Sequence, residues 1–324
     1  MTEKDKNLKI IHPQNQLKLF GYDDHFNSFI SLYQKEKLPN TILLSGSKGS
    51  GKATFAYHFI NYLLSYNEKD KYSLDNFTIN PNNDSYINLC NKIHPNFFLL
   101  ENLMTDDDIK IENVRSALTF LNKSTYSSDI KIVLIDSIDR LNVHSSNALL
   151  KVLEESKNKT YFFLINNNTH KILNTIKSRS IEFKFFFTLN QKKTILKSIF
   201  AQYENNFDLN NIDQGFYFDS PGNLLRYLMI LEDVNAHLLK DKLSCIMYLI
   251  DKYKQKTDPQ ILAFISLLIE LFYSDLSVKN NHSLSEYFVN KSKLLGQIDY
   301  AKRFNLDKKN LLLSIRETLQ HEPK

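Results

Sequence analysis

Cysteine, glycine and proline are scarce in this 324-residue sequence, with two, seven and seven of each, and tryptophan is missing altogether. Two cysteines, Cys90 and Cys245, cannot build a disulfide framework or a four-thiolate zinc site, and they fit a reducing compartment. A large excess of one charge is also lacking. Lys plus Arg minus Asp plus Glu is 41 − 36 = +5, mildly basic and far below the charge density of a nucleic-acid-binding tail. Met1 to Asn7 is charged and has no apolar stretch, so no secretory signal is expected there. The longest apolar run, Ile261 to Phe272, reads as too short to span a bilayer and contains Glu270. These absences leave a soluble, cytoplasmic, globular protein with no membrane partner as the expectation. With so few glycines, the place of each one is informative.

A hydrophobic share of 42% and an aromatic share of 12% are enough to build sizeable cores, which excludes disorder along the whole chain. The length suggests two domains or three, at ~100–200 residues each. The surplus of Asn, Lys, Ile and Phe reads as the mark of an AT-rich genome rather than of a mechanism. In the first half, strand patterns (Thr41 to Leu44, Phe97 to Glu101, Lys131 to Ile135, Tyr161 to Ile165, Ile181 to Phe185) alternate with helical ones. The helices are Ala53 to Leu64, Ile111 to Leu121, Ser145 to Glu155 with Ser145 or Ser146 as N-cap, and the short Ile172 to Lys177. Such alternation predicts an α/β fold with a parallel sheet covered on both faces. The polar, Asn-rich stretch from Ser65 to Asn91 reads as an insertion or mobile loop without function. Beyond Phe187 the strand patterns fade. Asn190 to Tyr203, a segment starting at Pro221, and Leu243 to Leu319 all read as helical, with a broad apolar stripe at Leu262, Ile265, Leu268, Ile269 and Phe272. Boundaries near Phe187 and His237 divide the chain into 1–187, 188–237 and 238–324. No internal repeat is apparent.

Gly46-Ser-Lys-Gly-Ser-Gly-Lys52 lies between a strand and a helix and matches most of the phosphate-binding loop G-x-x-x-x-G-K-S/T. Gly46, Gly49 and Gly51 let backbone N–H groups turn towards phosphate oxygens, the helix N-terminus adds a positive dipole end, and Lys52 is placed for the β- and γ-phosphates. The last position breaks the pattern: Ala53 stands where a hydroxyl would hold Mg²⁺. Thr54 is one residue further on and about 100° around the helix, a poor substitute. The apolar strand ending in Asp136 resembles the acidic strand that places a carboxylate near that metal, although Asp136 could merely cap the next turn. Ser137 follows it where a hydrolytic enzyme needs a carboxylate to orient water, and Asp139 is badly offset for that task. Two chemical requirements are therefore missing. Nucleotide binding can survive such losses while hydrolysis fails, so the site reads as degenerate.

Asn147-Ala-Leu-Leu-Lys-Val-Leu-Glu-Glu155 after the acidic strand and Thr175-Ile-Lys-Ser-Arg-Ser180 downstream resemble the bacterial clamp-loader ATPase family. Leu38-Pro-Asn40 and His94-Pro-Asn96 fit the same pattern, and the likeness runs from about Pro13 to Arg226. The resemblance implies a AAA+ module: a parallel-sheet P-loop domain, a small helical lid, and an all-α collar domain for oligomerisation. It implies a hetero-pentamer with gamma/tau and delta subunits of a bacterial replicative DNA polymerase holoenzyme. That ring loads the sliding clamp onto primer-template DNA. With Ala53 and Ser137, the chain is expected to be a subunit that does not itself hydrolyse ATP, with no required cofactor, doubtful ATP or ADP binding, and no zinc. Many relatives carry a four-cysteine zinc module, which two cysteines cannot supply. By the same resemblance, Arg179 in Ser178-Arg179-Ser180 is the arginine finger offered in trans to ATP on a neighbour, with serine replacing the family's final cysteine. Gly222 stands where the family's lid arginine belongs, and Arg226 lies one turn later. Lys110 and Arg115 are the candidate contacts to DNA phosphates. A self-sufficient ATPase of the same ring class would need a hydroxyl at 53 and an acid at 137. A nucleotide kinase would leave the two family runs without explanation.

Overall fold

The computed structural model describes residues 11–101, 109–123, 130–154, 159–202, 214–231, 241–279 and 284–320. The chain divides into two compact units. One comprises Ile10–Ser198 with Ser220–Gly222, and the other holds the remainder.

The first unit is built on five strands: β1 (Thr41–Ser45), β2 (Phe97–Leu100), β3 (Lys131–Ile135), β4 (Thr160–Asn166) and β5 (Ile181–Lys184). They form one sheet in the order β2-β3-β4-β1-β5, with every neighbouring pair parallel. This is the parallel α/β sheet that the alternating strand and helix patterns predict. Every residue of β1 and β3 is buried, which is why these strands read as continuous apolar runs rather than alternating ones. Side chains of odd and even position go to opposite faces. Ile42, Leu44, Ile132, Leu134, Phe163 and Ile165 join a core with α1 (Asp23–Gln34) and α2 (Lys52–Leu64). On the other face Leu43, Val133, Ile135, Phe162 and Leu164 pack with α4 (Ile111–Asn122), α5 (Val143–Glu154) and α6 (Asn174–Lys177).

Helix α1 has no counterpart among the predicted elements, yet it anchors the first of these cores. Its Phe26 ring lies between 5.2 and 6.2 Å from those of Phe55, Phe59, Tyr62, Tyr72 and Phe77. Two of those partners correct the reading of residues 65–91 as a mobile loop. Tyr72, Ile79 and Leu89 are buried, and the segment carries helix α3 (Asp84–Cys90), capped by the Asn83 side chain accepting from the Tyr86 N–H at 2.6 Å. Its asparagines are structural too. Asn61 donates to Asn83 at 3.1 Å in the interior, and Asn83 donates to the Asp70 carbonyl at 2.9 Å. The cap of α5 also differs from expectation. Asn142 Oδ1 accepts from the Ser145 N–H at 2.8 Å, while the Ser145 hydroxyl donates to the Ile109 carbonyl at 2.7 Å. The serine binds a neighbouring segment instead of its own helix end.

Helix α7 (Leu189–Gln202) closes the part of the chain that precedes residues 203–213, so the expected helix end at Tyr203 lies outside the described residues, as do Glu155 and the boundary near His237. The second unit is helical: α8 (Pro221–Ile230) from Asn223 onward, α9 (Lys242–Gln255), α10 (Pro259–Lys279), α11 (Leu284–Arg303) and α12 (Lys308–Gln320). The predicted stripe is its core. Leu262, Ile265, Leu268, Ile269 and Phe272 are buried on α10, and Phe264 stacks on Tyr227 with centroids 4.2 Å apart. The helix does not stop at Phe272. Its apolar character continues to Val278, so by length and composition Pro259–Val278 is sufficient to cross a bilayer, and the expectation from run length is corrected. Packing between α9 and α11 accounts for that apolarity within this unit.

His58 supplies a test of the first core. It is fully buried on α2, donates from Nε2 to the Gln16 carbonyl at 2.9 Å, and accepts at Nδ1 from the Tyr72 hydroxyl, also at 2.9 Å. Burial pushes its pKa down from 6.5 to about 4, partly offset by the Gln16 carbonyl. The unfolded chain then binds the proton first, so the His58 contribution is complete above the unfolded value and is lost as pH falls towards 4. Urea denaturation should show stability falling between pH 7 and pH 4 by up to ~3 kcal/mol from this group. In His58→Gln the pH-dependent fall should shrink.

Candidate functional site

The loop from Gly46 to Gly51 leaves the C-terminal end of β1 and runs directly into α2. Gly49 and Gly51 have φ values of +82° and +87°, the left-handed region that glycine enters without strain. Gly46 needs the absence of a side chain for another reason: a Cβ there would lie 2.3 Å from the Phe185 carbonyl oxygen. Gly51 is the N-cap of α2, so the loop ends on a helix N-terminus, as an anion cradle requires.

Lys52 is buried and turned back into this loop. Its ammonium donates to the carbonyls of Gly46 at 2.9 Å and Ser47 at 2.7 Å, and approaches the Ser50 hydroxyl at 3.3 Å. Burial pushes its pKa down to about 8, against the pull of the Asp136 and Asp139 carboxylates. To meet a phosphate, the ammonium would exchange those two carbonyls for phosphate oxygens.

Asp136 follows β3 at the sheet edge, and burial raises its pKa. Ser137 adopts φ +67° beside it. The Asn167 amide donates to the Ser137 hydroxyl at 3.0 Å, and that hydroxyl faces Asp136 Oδ1 at 3.4 Å. Asp139 is spent differently. Its carboxylate accepts from the Thr169 hydroxyl and from the backbone N–H groups of Thr169 at 2.9 Å and Asn167 at 3.3 Å. Burial works to raise its pKa, but these bonds outweigh burial and hold it below the usual carboxylate value. Asp139 ties down the loop after β4. The residues of that loop, Asn166 to Thr169, escaped the sequence reading. The only sign of them was a polar run directly after an apolar strand. The loop thus has the backbone geometry of an anion cradle, while positions 53 and 137 carry alanine and serine.

The Ser220–Gly222 segment, where the resemblance leads one to expect a lid arginine, meets this loop. The Ser220 hydroxyl donates to the Lys48 carbonyl at 2.6 Å, and the Gly222 N–H donates to the Gly49 carbonyl at 3.0 Å. A Cβ on Gly222 would lie 2.7 Å from that Gly49 oxygen. A side chain at 222 is incompatible with this contact.

Arg179 sits just after α6, exposed. Its Nη2 lies 2.7 Å from Glu154 Oε1 at the end of α5, and its Nη1 donates to the Thr175 carbonyl at 3.1 Å. Both partners come from α5 and α6, not from the phosphate loop. Glu154 as its partner was not foreseen. Lys110 and Arg115 are both exposed on α4, with Lys110 at its N-cap position. Cys90 is partly buried and Cys245 fully so; the described residues contain no cluster of His, Cys, Asp and Glu suited to a metal.

A family model described as DNA polymerase III, delta subunit, matches residues 21–187. The delta-prime subunit of DNA polymerase III from Buchnera aphidicola subsp. Schizaphis graminum is 24% identical over 302 residues, covering 89% of this chain and 84% of that protein. The delta-prime subunit from Pseudomonas aeruginosa is 35% identical over 89 residues, covering 28% of this chain and 27% of that protein. Among solved structures, a DNA polymerase III gamma subunit-related protein from Thermotoga maritima aligns with a TM-score of 0.48 and 18% identity, over 90% of this chain and 99% of that one.

Replacing Gly222 with alanine should force the Ser220–Gly222 segment off the phosphate loop, at a cost of ~1–3 kcal/mol from overpacking. Hydrogen exchange checks this: the Gly222 amide should lose protection in Gly222→Ala, while amides of β1 and β3 keep theirs.

Proposed function

Because the chain belongs to the DNA polymerase III delta-subunit family, matched over residues 21–187, we propose that it is a clamp-loader subunit that does not hydrolyse ATP. It takes its place in a cytoplasmic hetero-pentamer with gamma/tau and delta subunits and helps that ring place the sliding clamp on primed DNA. Its own chemical contribution is Arg179, presented in trans to ATP on the neighbouring subunit. There a guanidinium fork offsets the charge that develops on the γ-phosphate.

The observation that carries this reading is the division of the machinery. At the phosphate loop, Ala53 offers no metal ligand, Ser137 is engaged with Asn167 and Asp136, and Asp139 is engaged with Thr169. Arg179 is exposed and takes its polar partners from α5 and α6. A centre lacking hydrolytic groups, combined with a presented arginine, suits a donor rather than a consumer of ATP. No cofactor is required for that role. Nucleotide, if held at Gly46, Gly49, Gly51 and Lys52, would be bound as an anion and not turned over. The nucleotide-like domain, lid and collar are taken as 1–187, 188–237 and 238–324.

Steady-state ATPase of the reconstituted loader with clamp and primed DNA tests the assignment. The isolated chain should be silent. Arg179→Ala should lower the assembled rate several-fold with the complex intact, the drop being partial where other subunits supply their own fingers. Turnover by the isolated chain, together with an unaffected mutant assembly, would defeat it.

DNA is held in this reading through phosphate contacts from Lys110 and Arg115 on α4. Replacing both with alanine should weaken binding of the assembled loader equally across primer-template sequences. Each lost phosphate contact should flatten the slope of log K against log salt by ~0.9. An unchanged slope removes these two residues from the DNA surface.

A further inference from the structure

The surroundings of Arg179 carry an inference that rests on the finger reading above and extends it to a second residue. A guanidinium has five N–H donors. Here two of its nitrogens are held at separate points: Nη2 by Glu154 Oε1 at 2.7 Å, and Nη1 by the Thr175 carbonyl at 3.1 Å. Two anchors on different nitrogens fix the plane of the group as well as its position, and they leave N–H donors over for another acceptor. The backbone that carries each anchor is packed. Thr175 lies in α6, beside the buried Ile176, and Glu154 ends α5 beside the buried Leu153. Arg179 and Glu154 side chains are 41% and 52% exposed, and ion pairs at such sites contribute little to stability. The pair therefore has little to do as a structural fastening, and its effect is on the direction of the arginine.

We infer that Glu154 is a positioning residue for Arg179: it holds the guanidinium presented before a neighbouring subunit docks. A free arginine would have to be ordered at the moment of engagement, and that ordering opposes the productive geometry. Glu154 lowers this cost beforehand while touching neither nucleotide nor metal. No bond is made or broken at it.

The test uses the fully assembled loader with clamp and primed DNA, comparing wild type, Glu154→Ala, Glu154→Gln, Arg179→Ala and the Glu154→Ala/Arg179→Ala double variant. Glu154→Ala should lower kcat about 3- to 10-fold, a partial misplacement effect, with the KM for ATP and assembly on gel filtration unchanged. Glu154→Gln should recover most of the rate, since its amide oxygen still accepts from Nη2. The double variant should be no slower than Arg179→Ala alone, because the two residues act as one unit. A Glu154→Ala loader as fast as wild type or faster, or additive losses in the double variant, overturns the proposal. If Arg179→Ala lowers the rate and Glu154→Ala does not, this inference alone falls. If Arg179→Ala is itself without effect, the finger reading falls and takes this one with it.

Discussion

The ammonium of Lys52, enclosed by the carbonyls of Gly46 and Ser47, is the contact around which the nucleotide-like centre is arranged. A buried cation needs partners, and here the loop's own backbone supplies them. Those carbonyls can reach Lys52 only because β1, buried at all five residues between β4 and β5, delivers the chain to one place. Gly49 and Gly51 then take the left-handed turns that bring the chain back. Two further carbonyls of the same loop, those of Lys48 and Gly49, accept from Ser220 and Gly222. One loop thus holds both its own lysine and the Ser220–Gly222 segment.

Around it, groups that a hydrolytic enzyme would use are committed to structure. Asp139 ties down the segment after β4, Ser137 is bonded by Asn167, and Ala53 has nothing to offer a metal. The preserved parts are the ones that shape the fold. Gly46 avoids a collision with the Phe185 backbone, and Lys52 donates to the Gly46 and Ser47 carbonyls, the latter shared with the Ser50 N–H. A degenerate phosphate loop therefore remains worth keeping as architecture. Chemistry in the proposed role has moved to the exposed Arg179, where α5 and α6 meet and where Glu154 and Thr175 hold the guanidinium.

Much of this was legible in the residues alone. Continuous apolar strands alternating with helical periods determined the parallel sheet, because a strand buried on both faces has no polar side to show. The glycine pattern before Lys52, and the wrong residues at 53 and 137, determined that a phosphate-loop fold was present without its hydrolytic groups. These are local properties: a missing hydroxyl is missing in any fold. Tertiary structure alone decided the rest. Residues 65–91 look polar and loose in sequence, but Tyr72, Ile79 and Leu89 are spaced irregularly and find their cavity only once α1 and α2 are in place. Asp139 resembles a spare base until Thr169, thirty residues away along the chain, takes its carboxylate. Gly222 looks like a lost arginine, and only the Gly49 carbonyl against it gives its absent side chain a steric reason. Glu154 and Arg179, separated by 25 positions, become a pair only because α5 and α6 pack on the same face of the sheet. Such contacts depend on where the backbone goes, and periodicity along the chain carries no record of them.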